Sequence, residues 1–567
     1  MIAAAAVKIG DELAWWQRTT VYQIYPRSFA DANGDGIGDL PGILDRLDHL
    51  SDLGVETLWL SPFFASPQRD FGYDVADYDG IAPEYGTMAD CERLIEAVHA
   101  RGMKIVLDLV LNHTSDQHPW FLASRRGEAD PMRAFYIWRK GRKPGGAAPP
   151  NNWVAMTGGS GWHYDAATDA WYWASFLPFQ PDLNYHNPAV REAMLGVVRR
   201  WLERGADGFR LDIFNALFKD PRFFNNPFSL RPLPSETSAD GFFQRRLYTA
   251  DLPETFAFAR DLRALVDSFP GHRFLVGEVF GTPEKLRRYC GSPEGPGLHT
   301  VFLFQTLRAK TTAPALRALI AELEREFPPP HIPTYVLGNH DQLRAMSRLA
   351  GHEGKARLLA ALTLTVRGIP FVYYGEEIGM PGVPIPLREG LDPLAARYSW
   401  VSDRMARLLA RAGVCINRDE SRTPMAWSPD PGAGFCPPGV EPWRPFHKTY
   451  PRVNVASEEG DPSSMLACYR RLLALRKTRP ALHAGSLDLL ESERAGSLVG
   501  YRRRARDGDV VDVWLNASDR PEWLLLSEPS PTMLFSTHRF SSEPMALPSS
   551  ELHLMPYEAV VLDKSGR

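Results

Sequence analysis

The order of strand-like and helical patterns constrains the fold of this chain more than any other feature. Eight short apolar segments are typical of strands, and helical spacing of apolar residues separates them, for example at residues 40–54, 90–101, 188–205, 254–268 and 354–366. Strands that alternate with helices predict a parallel sheet, and eight such units predict a closed (β/α)8 TIM barrel of the α/β class. The predicted strands are residues 20–25, 55–60, 104–111, 208–213, 273–279, 300–304, 333–337 and 369–374.

Two long intervals and the C-terminal part do not fit this repeat. The interval between the third and fourth strands is rich in Gly, Pro and Trp, which predicts an inserted subdomain, and residues 379–460 are again rich in Pro and Gly. Short strand patterns at residues 498–502, 510–515 and 552–562 predict an all-β C-terminal domain. The expected domains are residues 1–112 (first part of the barrel), 113–185 (the insertion), 186–484 (second part of the barrel) and 485–567 (a β-sandwich).

The composition is that of a globular protein without features for nucleic acid or membranes. The 567 residues are 44% hydrophobic and 23% charged, and the net charge of −4 without a basic run argues against a nucleic-acid partner. The five cysteines are scattered and form no CxxC, which predicts neither a disulfide framework nor a zinc site. The first residues lack the basic segment of a secretory signal, and no stretch is long enough to span a membrane, so we expect a cytoplasmic protein.

Ionisable side chains are predicted to collect at one end of the barrel. Phe209 and Leu211 alternate with Arg210 and Asp212 along the fourth strand, so the last two point to the same side. A fixed guanidinium keeps a neighbouring carboxylate ionised, as a nucleophile requires. Active sites of such barrels lie at the carboxyl ends of the strands. Polar groups also lie at or after the ends of the second, third, fifth and seventh strands, at Tyr73-Asp74, Asn112-His113, Glu278 and Asn339-His340-Asp341.

Several motifs in this order resemble those of the α-amylase superfamily, glycoside hydrolase family 13. The resemblance covers about residues 15–430 and is greatest for the α-glucosidase and oligo-1,6-glucosidase branch. The motifs that carry it lie at residues 21–29 (VYQIYPRSF), 108–113 (DLVLNH), 180–184 (QPDLN), 208–212 (GFRLD), 277–278 (GE), 338–341 (GNHD) and 422–425 (RTPM).

This resemblance implies a role for each conspicuous carboxylate. Asp212 would be the nucleophile, Glu278 the general acid and then the general base, and Asp341 a third carboxylate that grips sugar hydroxyls. Two carboxyl groups about 5 Å apart suit a retaining double displacement. The substrate-binding residues implied are Asp74, His113, Phe176, Gln180, Arg210, His340 and Arg422.

The mode and linkage of cleavage follow less directly. In the resembling branch a pair matched here to Asp74 and Arg422 holds the terminal glucose, which favours exo action and release of one glucose unit from the non-reducing end of a small α-glucoside. Ile213 follows the nucleophile, where Val accompanies α-1,6 and Ala or Thr α-1,4 preference, so the linkage stays open. Either Tyr73 or Tyr78 could supply a stacking face, and residues 225–243 are expected to line the acceptor side.

A loop of alternating acidic residues gives a metal prediction. Oxygen atoms of Asp31, Asn33, Asp35, the Ile37 carbonyl and Asp39 have the spacing of a calcium loop, although Gly42 stands where an EF-hand has Glu. The same loop in the resembling branch binds calcium or a similar hard cation. Its place after the first strand predicts a structural calcium ion rather than a catalytic one, and no organic cofactor is expected; a metal-free Asp/Gly turn is the alternative.

Other functions fit parts of the pattern. A glucosyl-transferring or isomerising relative, of the trehalose synthase or sucrose isomerase type, would use the same nucleophile and acid. A non-catalytic transporter accessory chain or a plain carbohydrate-binding protein would not need the complete set of carboxylates. The sequence leaves the oligomeric state and the natural substrate open.

Overall fold

Eight parallel strands form one sheet that is almost closed into a barrel. The computed structural model describes residues 13–565 except 144–145, 236, 493–495, 527–530 and 542. In the sheet the strands run β6-β5-β4-β3-β2-β1-β8-β7, so that the last pairs back onto the first and the predicted fold class is confirmed. Their bounds are β1 Val21–Ile24, β2 Thr57–Leu60, β3 Lys104–Val110, β4 Gly208–Asp212, β5 Phe274–Gly277, β6 Thr300–Val301, β7 Thr334–Val336 and β8 Ile369–Tyr373.

The side chain of Thr334 in β7 joins the two end strands of the sheet, β6 and β7. Thr334 Oγ1 donates to the Val301 carbonyl at 3.0 Å and accepts from the Leu303 N–H at 2.9 Å. Because the Leu303 amide bonds a side chain there, β6 stops after two residues and a 3-10 helix, Phe304–Arg308, follows. The predicted strand at residues 300–304 is therefore too long.

Helices connect the strands on the outside of the barrel. The predicted helix at residues 40–54 is wrong as one element, because Arg46 leaves helical geometry (φ −107°, ψ 6°) and its guanidinium donates to the Gly434 carbonyl. The connecting helices are Leu40–Asp45 and Leu47–Leu53, Met88–Ala100, Pro188–Glu203, Pro253–Asp267, Pro283–Cys290, Ala313–Glu326, and Ala345–Arg348 with Glu353–Thr365. After β8 come Pro393–Arg397, Asp403–Arg411, Val455–Glu458, Met465–Thr478 and Pro480–Ala484, and Trp15–Arg18 precedes β1.

Strand β4, which carries Arg210 and Asp212, packs very closely against β5. A side chain at Gly208 would put its Cβ 2.1 Å from the Phe274 carbonyl, so only glycine lets β4 lie against β5 there. Every residue of β4 is buried. Apolar side chains fill the barrel interior below the strand ends: Val21, Trp59, Val106, Val276, Phe302, Val336 and Phe371.

The interval between β3 and β4 carries its own small sheet and core. Trp138–Arg139, Ala170–Trp173 and Trp162–Asp165 form three antiparallel strands, and helix Pro119–Ser124 precedes them. Trp153, Trp162 and Trp173 are buried against one another in that core. These tryptophans therefore serve packing rather than sugar stacking.

The C-terminal part is all-β, as predicted. Its larger sheet has the order Ser486–Leu490, Leu498–Arg504, Val510–Asn516, Ala559–Asp563, Thr532–Ser536 and Met545–Ala546, and the smaller one pairs Glu522–Leu525 with Glu551–Leu554. Both sheets contribute to one apolar cluster. The predicted strand at residues 552–562 is two strands, because a turn at Tyr557 (φ 57°) interrupts it. Throughout the described residues, no helix combines the length and apolarity needed to cross a bilayer.

Candidate active site

A cavity of about 250 Å³ opens at the carboxyl ends of the barrel strands. Asp212 ends β4, Glu278 directly follows β5, and Asp341 lies in the loop after β7. The structure thus brings together side chains that are distant in the chain, as the strand ends predict. Of the predicted residues, those that line the cavity are His113, Phe176, Gln180, Asp212, Glu278 and Asp341.

Arg210 organises the floor of this cavity. Its Nη1 donates to Asp212 Oδ1 at 2.7 Å and to Asp108 Oδ1 at 2.8 Å, and its Nη2 donates to Glu278 Oε2 at 2.5 Å. The guanidinium is 2% exposed, so these charge-assisted bonds act away from bulk water. Arg210 therefore fixes the carboxyl groups of Asp212 and Glu278 beside each other, and does not itself line the cavity.

The surroundings of Glu278 favour its protonated form. Burial raises the pKa of Glu278 well above its ordinary value, and the negative charges of Asp212 and Asp341 add to the rise, which Arg210 opposes only in part. A carboxylic acid that keeps its proton near neutral pH can act as a general acid. Glu278 and Asp212 therefore lie beside each other, both bonded to Arg210, but in different surroundings.

The surroundings of Asp341 instead favour its ionised form. Burial alone would raise the pKa of Asp341, but His340 and the positive charges of Arg418 and Arg422 hold it below its ordinary value. Arg422 Nη2 and Arg418 Nη1 both donate to Asp341 Oδ1, at 2.9 and 3.2 Å. Asp341 thus presents an ionised carboxylate to the cavity.

A neutral histidine lies at the centre of a buried hydrogen-bond chain. Burial lowers the pKa of His340 to about 3, so its ring is neutral. Gln23 Nε2 lies 2.7 Å from His340 Nδ1 and donates to it, which places the ring proton on Nε2, 2.6 Å from the Tyr73 hydroxyl. That hydroxyl donates in turn to Asp108 Oδ2 at 3.1 Å. His340 therefore positions Tyr73, which lines the cavity, whereas His340 itself does not.

The placement predicted for Asp74 is wrong. Both of its carboxylate oxygens accept hydrogen bonds within its own loop, from Ser66 Oγ and from the Asp70 and Arg69 N–H groups, at 3.0 to 3.1 Å. Asp74 is fully buried and does not line the cavity. It stabilises the loop, and it forms no hydrogen bond with Arg422 in the described structure.

Another acidic residue and another arginine form the pair on the cavity wall. Arg418 Nη2 donates to Asp70 Oδ1 at 2.8 Å, and Gln180 Nε2 donates to Asp70 Oδ2 at 2.9 Å. Asp70 and Arg418 both line the cavity, while Arg422 is fully buried and bonds Asp341 and the His340 carbonyl. Asp74 and Arg422, the predicted pair, each lie four positions along the chain from the residue that lines the cavity.

The structure also shows which of the other predicted residues line the cavity. Tyr73 lines the cavity, whereas the Tyr78 hydroxyl donates to the carbonyls of Val110 and His113, so of the two tyrosines Tyr73 belongs to the site. The ring centroids of His113 and Phe176 lie 5.4 Å apart on the same wall. Segment 225–243, which is predicted to line the acceptor side, contributes Pro234, Ser235 and Ala239 to the wall.

Ile213 combines exposure to the cavity with an unusual backbone. Its φ of 40° lies in the left-handed region, which β-branched residues rarely adopt. Strain of this kind is characteristic of functional sites. The turn places Ile213 on the cavity wall next to Asp212 and lets the following Phe214 N–H donate to the Glu278 carbonyl at 2.9 Å.

The predicted calcium loop folds as a compact turn. Asp31 accepts from the Gly34 and Gly36 N–H groups, Asp35 from Ile37, and Asp39 from Ala32, Asn33 and Gly42. Within the part of the chain that the structure describes, no three His, Cys, Asp or Glu side chains converge in a metal-holding group. The donor atoms are hard oxygens of the kind calcium prefers, but their carboxylates face backbone N–H groups.

A barrel whose strand ends bring Asp212, Glu278 and Asp341 to one cavity has the carboxyl groups that cleavage of a glycosidic bond requires. The sequence model of the family Alpha amylase, catalytic domain, matches residues 23–485. The chain therefore belongs to the α-amylase family, glycoside hydrolase family 13, and is a glycoside hydrolase.

Named relatives extend over most of the chain. It is 39% identical over 518 residues to a probable α-glucosidase of Rhizobium meliloti (strain 1021), covering 89% of this chain and 90% of that protein. It is 36% identical to an oligo-1,6-glucosidase of Parageobacillus thermoglucosidasius, covering 84% and 86%. Among solved structures, trehalulose synthase MutB from Pseudomonas mesoacidophila MX-45 matches with a TM-score of 0.84 at 31% identity, covering 97% and 100%. An α-glucosyl transfer enzyme matches with a TM-score of 0.84 at 34% identity, covering 97% and 100%.

Proposed function

We propose that the protein is a retaining, exo-acting α-glucosidase that releases glucose from the non-reducing end of small α-1,4- or α-1,6-linked glucosides. The observation that carries the proposal is the single guanidinium of Arg210, which holds the carboxyl groups of Asp212 and Glu278 side by side at the cavity floor. Carboxyl groups close together suit a double displacement, whereas inversion needs room for a water between them. The names of the relatives support the same class of reaction.

In the proposed mechanism Asp212 and Glu278 carry out the reaction in two steps. Asp212 attacks the anomeric carbon while Glu278 gives its proton to the departing oxygen, which leaves a covalent glucosyl-enzyme. Glu278, now ionised, takes a proton from a water that attacks the same carbon and releases glucose with retained configuration. Asp341, ionised beside Arg418 and Arg422, stabilises the positive charge that develops on the sugar ring.

Exo action is inferred from a charged pair on the cavity wall. Asp70, Arg418 and Gln180 form a hydrogen-bonded wall there, with both charged side chains facing the cavity. An acidic and a basic side chain held together in this way can bind the outer hydroxyls of one terminal sugar and would block a longer chain. These residues take the role that the sequence argument gave to Asp74 and Arg422.

Substitutions at Asp70 and Asp74 are expected to separate binding from folding. Asp70→Asn should lower kcat/KM for maltose by about 10- to 100-fold, because a charge-assisted hydrogen bond to the sugar is lost. Asp74→Asn should lower the melting temperature with little change in KM, since Asp74 bonds only its own loop. Steady-state kinetics and thermal unfolding of both variants test this; a reversed pattern would restore the original assignment.

The rate should depend on the proton of Glu278. Because its pKa is raised, kcat/KM is expected to stay high through neutral pH and to fall as alkaline pH removes that proton. In Glu278→Gln this alkaline fall should disappear, and aryl glucosides whose leaving groups need no proton should retain far more activity than maltose. The pH profiles of both proteins decide this, and an unchanged alkaline limb in the variant would assign the proton to another group.

A glucosyl-transferring or isomerising activity is the second candidate. The structural similarity to trehalulose synthase and to an α-glucosyl transfer enzyme favours it, since such reactions need the same nucleophile and acid. Chromatography of products from maltose, isomaltose, sucrose and trehalose distinguishes the two. Glucose release supports hydrolysis and ranks the linkages, whereas an isomer of the substrate or longer oligosaccharides supports transfer.

A structural calcium ion at the loop of residues 31–39 is part of the same proposal. Asp31, Asn33, Asp35, Asp39 and the Ile37 carbonyl supply the oxygen donors that calcium requires. Chelator treatment should lower the melting temperature by a few degrees, and calcium should restore it better than magnesium, because ligand binding to the folded state stabilises it. An unchanged melting temperature, with no metal found in the purified protein, would support the metal-free turn instead.

A further inference from the structure

One arginine outside the cavity closes the loop that carries Asp341. This loop, residues 338–342, runs from β7 to the short helix that ends at Arg348. Arg348 donates from Nη2 to the Leu337 carbonyl and from Nη1 to the Leu343 carbonyl. These two carbonyls lie immediately before and immediately after the loop. The guanidinium of Arg348 therefore sets the distance between the two ends of the loop.

A buried acidic residue packs against the start of the same loop. Glu376 lies in a turn after β8, where its N–H donates to the Tyr373 carbonyl at 2.9 Å. A Cβ atom at Gly338 would be 2.4 Å from Glu376 Oε1, so this carboxyl group lies against the loop backbone. Burial raises the pKa of Glu376 to about 8, and the positive charge of Arg348 opposes the rise. Glu376 and Arg348 therefore both act at the start of the loop.

The place of Asp341 depends on where this loop lies. Asp341 Oδ1 accepts from Arg418 Nη1 at 3.2 Å and from Arg422 Nη2 at 2.9 Å, and both arginines belong to a different segment of the chain. The side chain of Asp341 is 28% exposed, so its neighbours restrain it less than they would a buried side chain. Misplacement of a reacting or stabilising group by about 1 Å can cost about 100-fold in rate. A loop that is free to shift would therefore weaken the contribution of Asp341.

We propose that Arg348 is a positioning residue for Asp341, through which it acts by fixing the two ends of loop 338–342, and that Glu376 supports the loop at Gly338. Neither Arg348 nor Glu376 lines the cavity, so their effect on the reaction passes through the loop. The inference rests on the proposed glucosidase function, because it concerns the carboxylate that stabilises charge on the sugar ring. It adds to that function a residue that does not contact the sugar.

Removal of the guanidinium tests the role of Arg348. Arg348→Met should lower kcat/KM by about 10- to 100-fold, mainly through kcat, because Asp341 acts on charge that develops in the transition state. Arg348→Lys keeps the positive charge and a donor for one carbonyl, so it should lose less, and it replaces Arg348→Met if that variant fails to fold. The substrate is α-glucosyl fluoride, because fluoride leaves without a proton and slow variants stay measurable. Fluoride release counts hydrolysis and transfer alike.

A double-mutant cycle shows whether Arg348 acts through Asp341. In the Asp341→Ala background the carboxylate is absent, so Arg348→Met should lower kcat/KM by no more than about twofold further. Arg471→Met is the matched control, because Arg471 is also half-buried and donates to three backbone carbonyls, which lie in the C-terminal domain. This control should lower the melting temperature and leave kcat/KM at the wild-type value. Each variant is assayed well below its melting temperature.

The outcomes separate this inference from the proposed function. Wild-type kcat/KM in Arg348→Met would overturn the positioning role and leave the α-glucosidase intact. An equal fall in the wild-type and Asp341→Ala backgrounds, or an equal fall in Arg471→Met, would also overturn it, because the loss would then not pass through Asp341. A wild-type enzyme that releases neither glucose from maltose nor fluoride from α-glucosyl fluoride would overturn the proposed function and the inference together.

Discussion

Replacing Asp212 by alanine is expected to reduce kcat by on the order of 10⁴- to 10⁶-fold, with the fold retained. Removal of a nucleophile blocks the covalent intermediate, and knockouts of other enzymes' nucleophiles give losses of this size. The methyl group of alanine leaves Arg210 bonded to Asp108 and Glu278, so the buried guanidinium keeps two partners. Glucose release by the purified variant measures the loss.

A small external nucleophile separates loss of chemistry from loss of structure. Azide should enter the space left in Asp212→Ala and restore part of the rate, giving the β-glucosyl azide by a single displacement. Asp48→Ala, at an exposed position, is the control and should keep wild-type kcat. Wild-type turnover in Asp212→Ala, or a product of unchanged configuration, would remove Asp212 from the nucleophile role.

Arg210→Met is expected to have the largest effect on stability. The substitution leaves the carboxyl groups of Asp108, Asp212 and Glu278 buried without their shared cation. Breaking a buried ion pair by removing one partner costs about 3–5 kcal/mol in the free energy of unfolding. Activity should also be lost, because Asp212 and Glu278 are no longer held together.

An exposed ion pair provides the comparison for this prediction. Arg101→Met breaks the surface pair with Asp48 and should cost at most about 1 kcal/mol. Urea unfolding of the three proteins gives the free energies. The deficit in Arg210→Met should shrink at acidic pH, since protonation neutralises the stranded carboxylates. Equal costs for the two substitutions would show that Arg210 does not organise the site.

The parts of the site that sequence could predict depend on regular periodicity. The two-residue period of β4 put Arg210 and Asp212 on one side, and the structure joins them at 2.7 Å. The rule that strand ends meet at one face of a barrel brought Glu278 and Asp341 to the same cavity. For Arg210 and Asp212 strand geometry fixes where the side chains point, and for Glu278 and Asp341 it fixes the end of the barrel at which they lie.

The errors lie where the chain is irregular. Positive φ angles at Phe71 (49°) and Gly72 (99°) reverse the loop after β2, so Asp70 faces the cavity while Asp74 turns back to bond the Asp70 N–H. No repeat in the sequence indicates which of two acidic residues four positions apart points inward. The same ambiguity separates Arg418 from Arg422 across the 3-10 helix Arg418–Ser421.

Side-chain networks between distant segments were also beyond sequence reasoning. The chain from Gln23 through His340 and Tyr73 to Asp108 links four different strand ends and loops. Its existence depends on distances of 2.6 to 3.1 Å that only the closed barrel establishes.

The measurement that tests the central claim most directly is proton NMR of the first glucose released by fresh enzyme from maltitol, the reduced form of maltose, whose only glucosyl unit is the one at the non-reducing end. If Asp212 and Glu278 act by double displacement at the non-reducing end, α-glucose appears first and equilibrates to the β-anomer only later, with no intermediate oligosaccharide. β-Glucose as the initial new product would contradict retention and the carboxylate pairing at Arg210. Longer oligosaccharides or an isomerised disaccharide in place of free glucose would contradict hydrolysis as the main reaction.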